Sequence, residues 1–426
     1  MDLIIRNARR PREEGLVDIG ILDGRIVVVE RAIGAPASVE LDARGYLVTP
    51  PFVDPHFHLD APLTAGFPRR NQSGTLIEGI ELWGELQQHL TYEGVKERAW
   101  EYIRWCAAQG ILHLRAHVDV CQPGLLGARA LVEARDEARD LIDIQLVAFP
   151  QHGLLRFPGA VELLDEALEL GFDVVGGIPH YEMTREDGVE SVRMLMERAK
   201  RRGLLVDMHC DETDDPASRF LETLAQETIR RGMEGCVSAS HVTSMHSVDN
   251  AYAQKLLGLV RQADVHVVSN PLTNMILQGR ADTYPKRRGL ARVKELLASG
   301  VNVCFGHDCT LDPWYPLGHA DMLQVAFMGL HACHMSGTDE IETMFDAVTV
   351  NGAKAMMLDG YGLEVGCEAN MVVLQAHTTS DAIRLSPPRL HVVRRGKVVA
   401  ETSPRESIVT WRGETRPVDF TQPEFR

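Results

Sequence analysis

The sequence predicts an α/β protein. A closed (β/α)8 TIM-like barrel fills residues 48–360, and a small β-sandwich is assembled from both termini, 1–47 plus 361–426. Two observations predict this. Between residues 49 and 308, eight strand-like apolar runs alternate with helical stretches, the signature of a parallel sheet wrapped by helices. The two ends of the chain share another character, short strands joined by tight turns, and neither end could bury a core alone.

At the N-terminus the strands run over 3–5, 18–22 and 25–29, with Asp23-Gly24 as the hairpin turn between the last two. At the far end 371–374 and 391–399 repeat the strand–turn–strand pattern. The first barrel strand climbs from Thr49 to His56-Phe57-His58, and the other seven follow at 112–118, 143–149, 173–178, 204–209, 235–241, 265–270 and 301–308. Between them, Thr91 caps a helix whose apolar stripe is Val95, Ala99, Tyr102, Ile103 and Cys106; Val161, Leu164, Ala167 and Leu168 mark another. Eight such units favour a closed barrel over an open sheet, and in closed barrels chemistry collects at the strand C-termini.

With 426 residues, 45% of them hydrophobic and 24% charged, the chain has the make-up of an ordinary globular protein. A net charge of −16 argues against a nucleic-acid backbone or an anionic membrane as partner, since both need a basic surface. No apolar run approaches the length of a bilayer span, and the start Met1-Asp2-Leu3-Ile4-Ile5-Arg6 does not resemble a secretion signal. The eight cysteines form no Cys-x-x-Cys pair and most lie in apolar runs, as expected of reduced thiols in a cytoplasm.

Polar residues gather at the predicted strand ends: His56 and His58 after the first, Gln151 after the third, His209 to Glu212 after the fifth, His241 after the sixth, and His307 to Cys309 after the eighth. Side chains two apart on a strand share a face, so His56 and His58 can grip one ion. Adding His209 and Asp308 gives a three-imidazole, one-carboxylate site for one divalent metal ion, Zn²⁺ or Fe²⁺, with room for a water whose pKa would fall toward about 7. Glu212, three residues past a ligand, could ferry a proton; His241 could orient the water; Gln151 offers a donor and an acceptor to the edge of a ring. Plainer readings stand beside these: His241 as a satisfied core histidine, Gln151 as a loop cap, Asp308 as a helix cap. His307 reads as structural, while His113, His117 and the run His331-Ala332-Cys333-His334 are discounted as ligands.

Longer blocks carry a resemblance. Residues 52–60, Asn71-Gln72-Ser73-Gly74-Thr75-Leu76, 147–151, His209-Cys210-Asp211-Glu212, 278–289 and 305–318 together resemble the barrel-type cytosine deaminases of the amidohydrolase superfamily. The resemblance implies a homo-oligomeric, metal-dependent hydrolase acting on a small pyrimidine base. It implies His56, His58, His209 and Asp308 as ligands of iron or zinc, Gln151 on the pyrimidine edge, Glu212 as proton shuttle and His241 over the water. Leu76, Phe149 and Trp314 match pocket-wall positions. One position departs: these deaminases carry a second aspartate after the metal-binding one, where this chain has Cys309. A smaller, less polar thiol should admit a C5 substituent, above all the methyl of 5-methylcytosine.

Rival readings are a deaminase of another amino-substituted ring, such as isoguanine or a pterin, and a barrel that has lost catalysis. His180-Tyr181-Glu182 matches the His-x-Glu of small zinc deaminases, but no Pro-Cys-x-x-Cys follows it. The fourth strand offers no lysine to bridge two metals, as hydantoinase-like relatives use, so one metal is expected.

Overall fold

Alternating burial along short strands and amphipathic helices between them produce the expected architecture. The computed structural model describes residues 1–421, so the last five residues of the expected C-terminal segment lie outside the described residues. The barrel strands are β1 (Phe52–Phe57), β2 (Ile111–Asp119), β3 (Asp143–Phe149), β4 (Val174–Gly177), β5 (Leu205–Cys210), β6 (Val237–His241), β7 (His266–Ser269) and β8 (Val303–Phe305). Each pairs in parallel with its sequence neighbour, in the order β1 to β8.

Regular pairing in β8 ends at Phe305, three residues before the expected end, and the chain closes the ring beyond it. An isolated parallel bridge joins Phe57 to Asp308: the Asp308 amide donates to the His56 carbonyl at 2.8 Å and the His58 amide to the Asp308 carbonyl at 3.0 Å. Gly306 makes this approach possible. A Cβ there would lie 2.6 Å from Asn270 Oδ1 and 2.7 Å from His56 Cβ.

The helix Tyr92–Ala108 begins as predicted, with the Thr91 side chain accepting from the Gly94 amide, and it buries Val95, Ala99, Tyr102, Ile103 and Cys106. In Ala160–Glu169 the buried stripe is Ala160, Leu164, Ala167 and Leu168, with Val161 only partly covered. Among the described residues no helix is long and apolar enough to cross a membrane.

Two further sheets form from the chain ends. Leu3–Ala8, Val17–Leu22, Arg25–Glu30 and Val39–Asp42 make one; Leu47–Thr49, Met371–Leu374, Arg389–Arg394 and Lys397–Glu401 make the other. Leu3, Ile5, Ile19 and Ile21 of the first share a core with Val48, Met371, Val373 and Val393 of the second. The edge strand Val39–Asp42 and the exposed hairpin Ile408–Trp411/Glu414–Pro417 were not anticipated, because largely exposed strands lack a clear alternation.

A buried ion pair ties the second sheet to the barrel helices. Arg389 meets Asp321, which also accepts from Ser386 Oγ at 2.6 Å and caps the helix Met322–Ala332 through the Leu323 amide at 2.9 Å. Burial alone would push the Asp321 carboxyl up, but Arg389 and Ser386 hold it below the usual carboxylate range. A depressed carboxyl contributes stability above its unfolded pKa of about 3.9, and loses it as the pH falls through the folded value. Asp321→Ala, which strands Arg389, is expected to cost about 3–5 kcal/mol at neutral pH. The gap should narrow in acid, as urea unfolding at pH 7 and pH 3 would measure.

Candidate active site

Strand alternation sets the site. On β1, Asp54 and His56 share a face that His58 continues; on β2 the same parity holds His113, Arg115, His117 and Asp119; on β5 it holds Asp207 and His209, and on β6 Ser238 and Ser240. His241 has the opposite parity, yet its backbone is left-handed (φ 71°), which re-aims the side chain to the barrel mouth. Asp211 (φ 54°) and Asp308 (φ 70°) sit in the same region. Such non-glycine residues cost of order 1–3 kcal/mol each, a strain that clusters at functional sites.

The four predicted ligands come together. His58 Nε2 is 3.1 Å from His209 Nε2, and Asp308 Oδ1 is 3.4 Å from His56 Nε2 and 3.6 Å from His58 Nε2. The donor atoms of His56, His58 and His209 lie within 4.8 Å of one another, as do those of His56, His241 and Asp308. Burial pushes His58 down to about 4 and His209 well below the usual imidazole range, so both rings are neutral. Burial acts the other way on Asp308, yet the carboxyl, with the His56 and His241 rings against it, lies below its usual range. Buried His56 Nε2 and Asp308 Oδ2 have no hydrogen-bond partner among the described residues. Neutral imidazoles around a carboxylate, with buried lone pairs left over, form a donor set that fits one divalent cation.

Glu212 and His241 stand beside this cluster. Burial and the neighbouring Asp308 carboxylate push the Glu212 carboxyl well above its ordinary range. Its Oε1 is 3.4 Å from His241 Nδ1. The Asn274 side-chain oxygen accepts from the Asn270 amide at 3.3 Å, which turns its Nδ2 to donate to His241 Nδ1 at 2.9 Å. His241, kept neutral by burial, therefore carries its proton on Nε2, which has no partner among the described residues.

The cavity over the cluster is lined by Leu76, Gln151, Glu212, His241, Cys309 and Trp314 together with His58, His209 and Asp308. Trp314 lies 5.9 Å from the His58 ring at 30° and 6.0 Å from Trp83, whose indole nitrogen donates to Asp119 at 2.8 Å. Gly79 makes room for it, since a Cβ there would be 2.3 Å from Trp314 Cδ1. Cys309 is buried with Sγ 3.5 Å from Asp308 Oδ1, and burial beside that carboxylate keeps the thiol protonated.

Phe149 corrects the expectation of a wall residue. It is fully buried and stacks on the His209 ring at 4.0 Å and 16°, so it backs a ligand and does not line the cavity.

Sequence reasoning also missed residues. Thr273 and Leu277, on the helix Pro271–Leu277 after β7, line the cavity; only the Asn-Pro start of that helix hinted at a turn into the mouth. His117, discounted earlier, lies beneath the cluster with its ring 4.0 Å from His56 and 4.7 Å from His209, as its shared parity with Arg115 and Asp119 could have shown. Glu182 is no metal-site glutamate: its carboxylate accepts from the Leu154, Leu155 and Arg156 amides, anchoring the loop that follows Gln151. His307 is structural, its Nδ1 2.9 Å from the Cys309 carbonyl. His331 and His334 are hydrogen-bonded at the exterior, away from the cluster.

A profile of the amidohydrolase family matches residues 39–402. The chain belongs to the amidohydrolase family. The structure of this amidohydrolase is similar to that of 5-methylcytosine deaminase from Klebsiella pneumoniae liganded with 5-fluorocytosine. The TM-score is 0.93 and the identity 46%, covering 96% of this chain and 100% of that one. Its sequence is 30% identical over 407 residues to N-isopropylammelide isopropyl amidohydrolase of Pseudomonas sp. (strain ADP), covering 94% of this chain and 97% of that protein. It is also 29% identical over 402 residues to pterin deaminase of Rhizobium rhizogenes, covering 92% and 90%.

Proposed function

We propose that this amidohydrolase deaminates a cytosine-type pyrimidine base, 5-methylcytosine or cytosine, with water, giving thymine or uracil and ammonia. The observation that carries the reading is a buried Glu212 beside a three-imidazole, one-carboxylate cluster, under a cavity walled by Trp314 and Gln151. The likeness to a 5-methylcytosine deaminase supports the choice of ring.

His56, His58, His209 and Asp308 would hold the cation, zinc or iron, which when bound supplies the Lewis acidity that makes water a nucleophile at neutral pH. The chain's own residues do the rest. Gln151 meets the ring edge through its amide, while Trp314 and Leu76 hold the ring flat. Glu212 gives its proton to N3 as the water adds at C4. Asp308 takes the proton that the water loses, and the His241 Nε2–H holds the water's oxygen in place. Asp308 then passes its proton to the exocyclic nitrogen, the C4–N bond breaks and ammonia leaves, while the emptied Glu212 takes the proton of the C4 hydroxyl as that oxygen becomes the 4-oxo group. The same reading carries a cytoplasmic homo-oligomer, supported by the family resemblance alone.

The test is a panel of cytosine, 5-methylcytosine, isoguanine and a pterin, scored by ammonia release in the native chain and in Cys309→Asp. Native kcat/KM should favour 5-methylcytosine, and Cys309→Asp should shift the preference toward cytosine by about 20–600-fold. Burial of one methyl contributes about 0.8 kcal/mol, and a clash with the introduced carboxylate adds about 1–3. Equal preference for cytosine in both proteins ends the assignment to Cys309. Turnover of isoguanine or the pterin alone moves the enzyme to that other ring.

A further inference from the structure

Below the proposed metal ligands runs a column of buried polar groups: Arg115, Asp207, Ser240 and His56. The Arg115 guanidinium is fully buried and all three of its nitrogens are engaged. Nε donates to Gln145 Oε1 at 3.0 Å, Nη2 to the Ala355 carbonyl at 3.0 Å, and Nη1 to Asp207 Oδ2 at 3.0 Å and Ser238 Oγ at 3.2 Å. Asp207 Oδ1 in turn accepts from Ser240 Oγ at 2.6 Å, and Ser240 Oγ lies 2.8 Å from His56 Nδ1.

The protons in this column have one consistent arrangement. A carboxylate ion-paired to arginine only accepts, so the single Ser240 hydrogen points to Asp207. The serine oxygen must then accept, and the proton of His56 sits on Nδ1. That leaves the Nε2 lone pair for a cation.

We infer that Ser240, held by Asp207 and Arg115, is a positioning residue that sets the His56 tautomer and so the cation affinity of the site. This rests on the metal reading proposed above. Residues that orient a ligating imidazole in this way are typically worth about 10–100-fold in metal affinity or activity.

The test uses the metal-loaded enzyme with zinc as the probe, titrated with a competing chelator. Ser240→Ala, and Ser240→Cys as a variant closer in size, should lose zinc at about 10–100-fold lower chelator concentration than the native chain. Ser238→Ala removes a neighbouring buried hydroxyl that touches Arg115 and not His56, and should hold zinc as the native chain does. Metal-stripped Ser240→Ala should unfold at the temperature of the metal-stripped native chain. Native-like zinc retention in both Ser240 variants overturns the inference, as does equal weakening in Ser238→Ala. A native chain that binds no zinc or iron sinks the metal reading, and the column's role with it.

Discussion

Glu212→Gln should lower kcat by about 10²–10⁴-fold while the purified variant keeps its full complement of metal. The glutamine has nearly the same shape and still donates a hydrogen bond, but it cannot give up a proton to N3 and recover it. Glu212 lies in the cavity wall next to His241, outside the proposed ligand set of His56, His58, His209 and Asp308. Metal content by elemental analysis, measured beside turnover, separates the roles: loss of metal would make Glu212 a ligand. The pH sign follows from burial and the Asp308 carboxylate, which raise the Glu212 acid. The proton is in place below that raised value and lost above it, so native kcat/KM should fall on the alkaline side.

The second large effect is that of the cation. Dialysis against a strong chelator should take activity down by roughly three decades or more, since a bound divalent ion contributes several kcal/mol to lowering such a barrier. Return of zinc and of ferrous iron, each alone and without oxygen, should restore it to different levels and thereby identify the better metal. Full activity in a chain shown to be metal-free would overturn the role given to the cluster.

Much of this was legible in the sequence, for reasons visible in particular residues. His56 and His58 declare themselves because a strand repeats every two residues, and His209 and Asp308 because they end later runs of the same kind. The barrel followed from counting those runs. His241 was legible as the end of the sixth run, although the parity of β6 points it away from the mouth and its left-handed φ brings it in. Other features depend on depth or on pairing between distant elements. The resemblance placed Phe149 at the pocket wall, whereas in the fold its ring is buried and stacks on His209. The pairing of Arg115 with Asp207 was not legible, since it joins strands far apart in the chain. Thr273 and Leu277 lie on a helix of seven residues, too short for a recognisable stripe.

One residue after β8 has two duties. The main chain of Asp308 hydrogen-bonds to β1 and the residue after it, completing the ring of strands, while its side chain stands in the proposed ligand set with His56 and His58. An ion held there would clasp the first stave to the last at the seam itself, so that loading the site and latching the wall become a single event. By mass action, whatever binds the latched form tightens the whole cylinder. Starving such an enzyme of its ion would thus leave it both idle and easier to pry open.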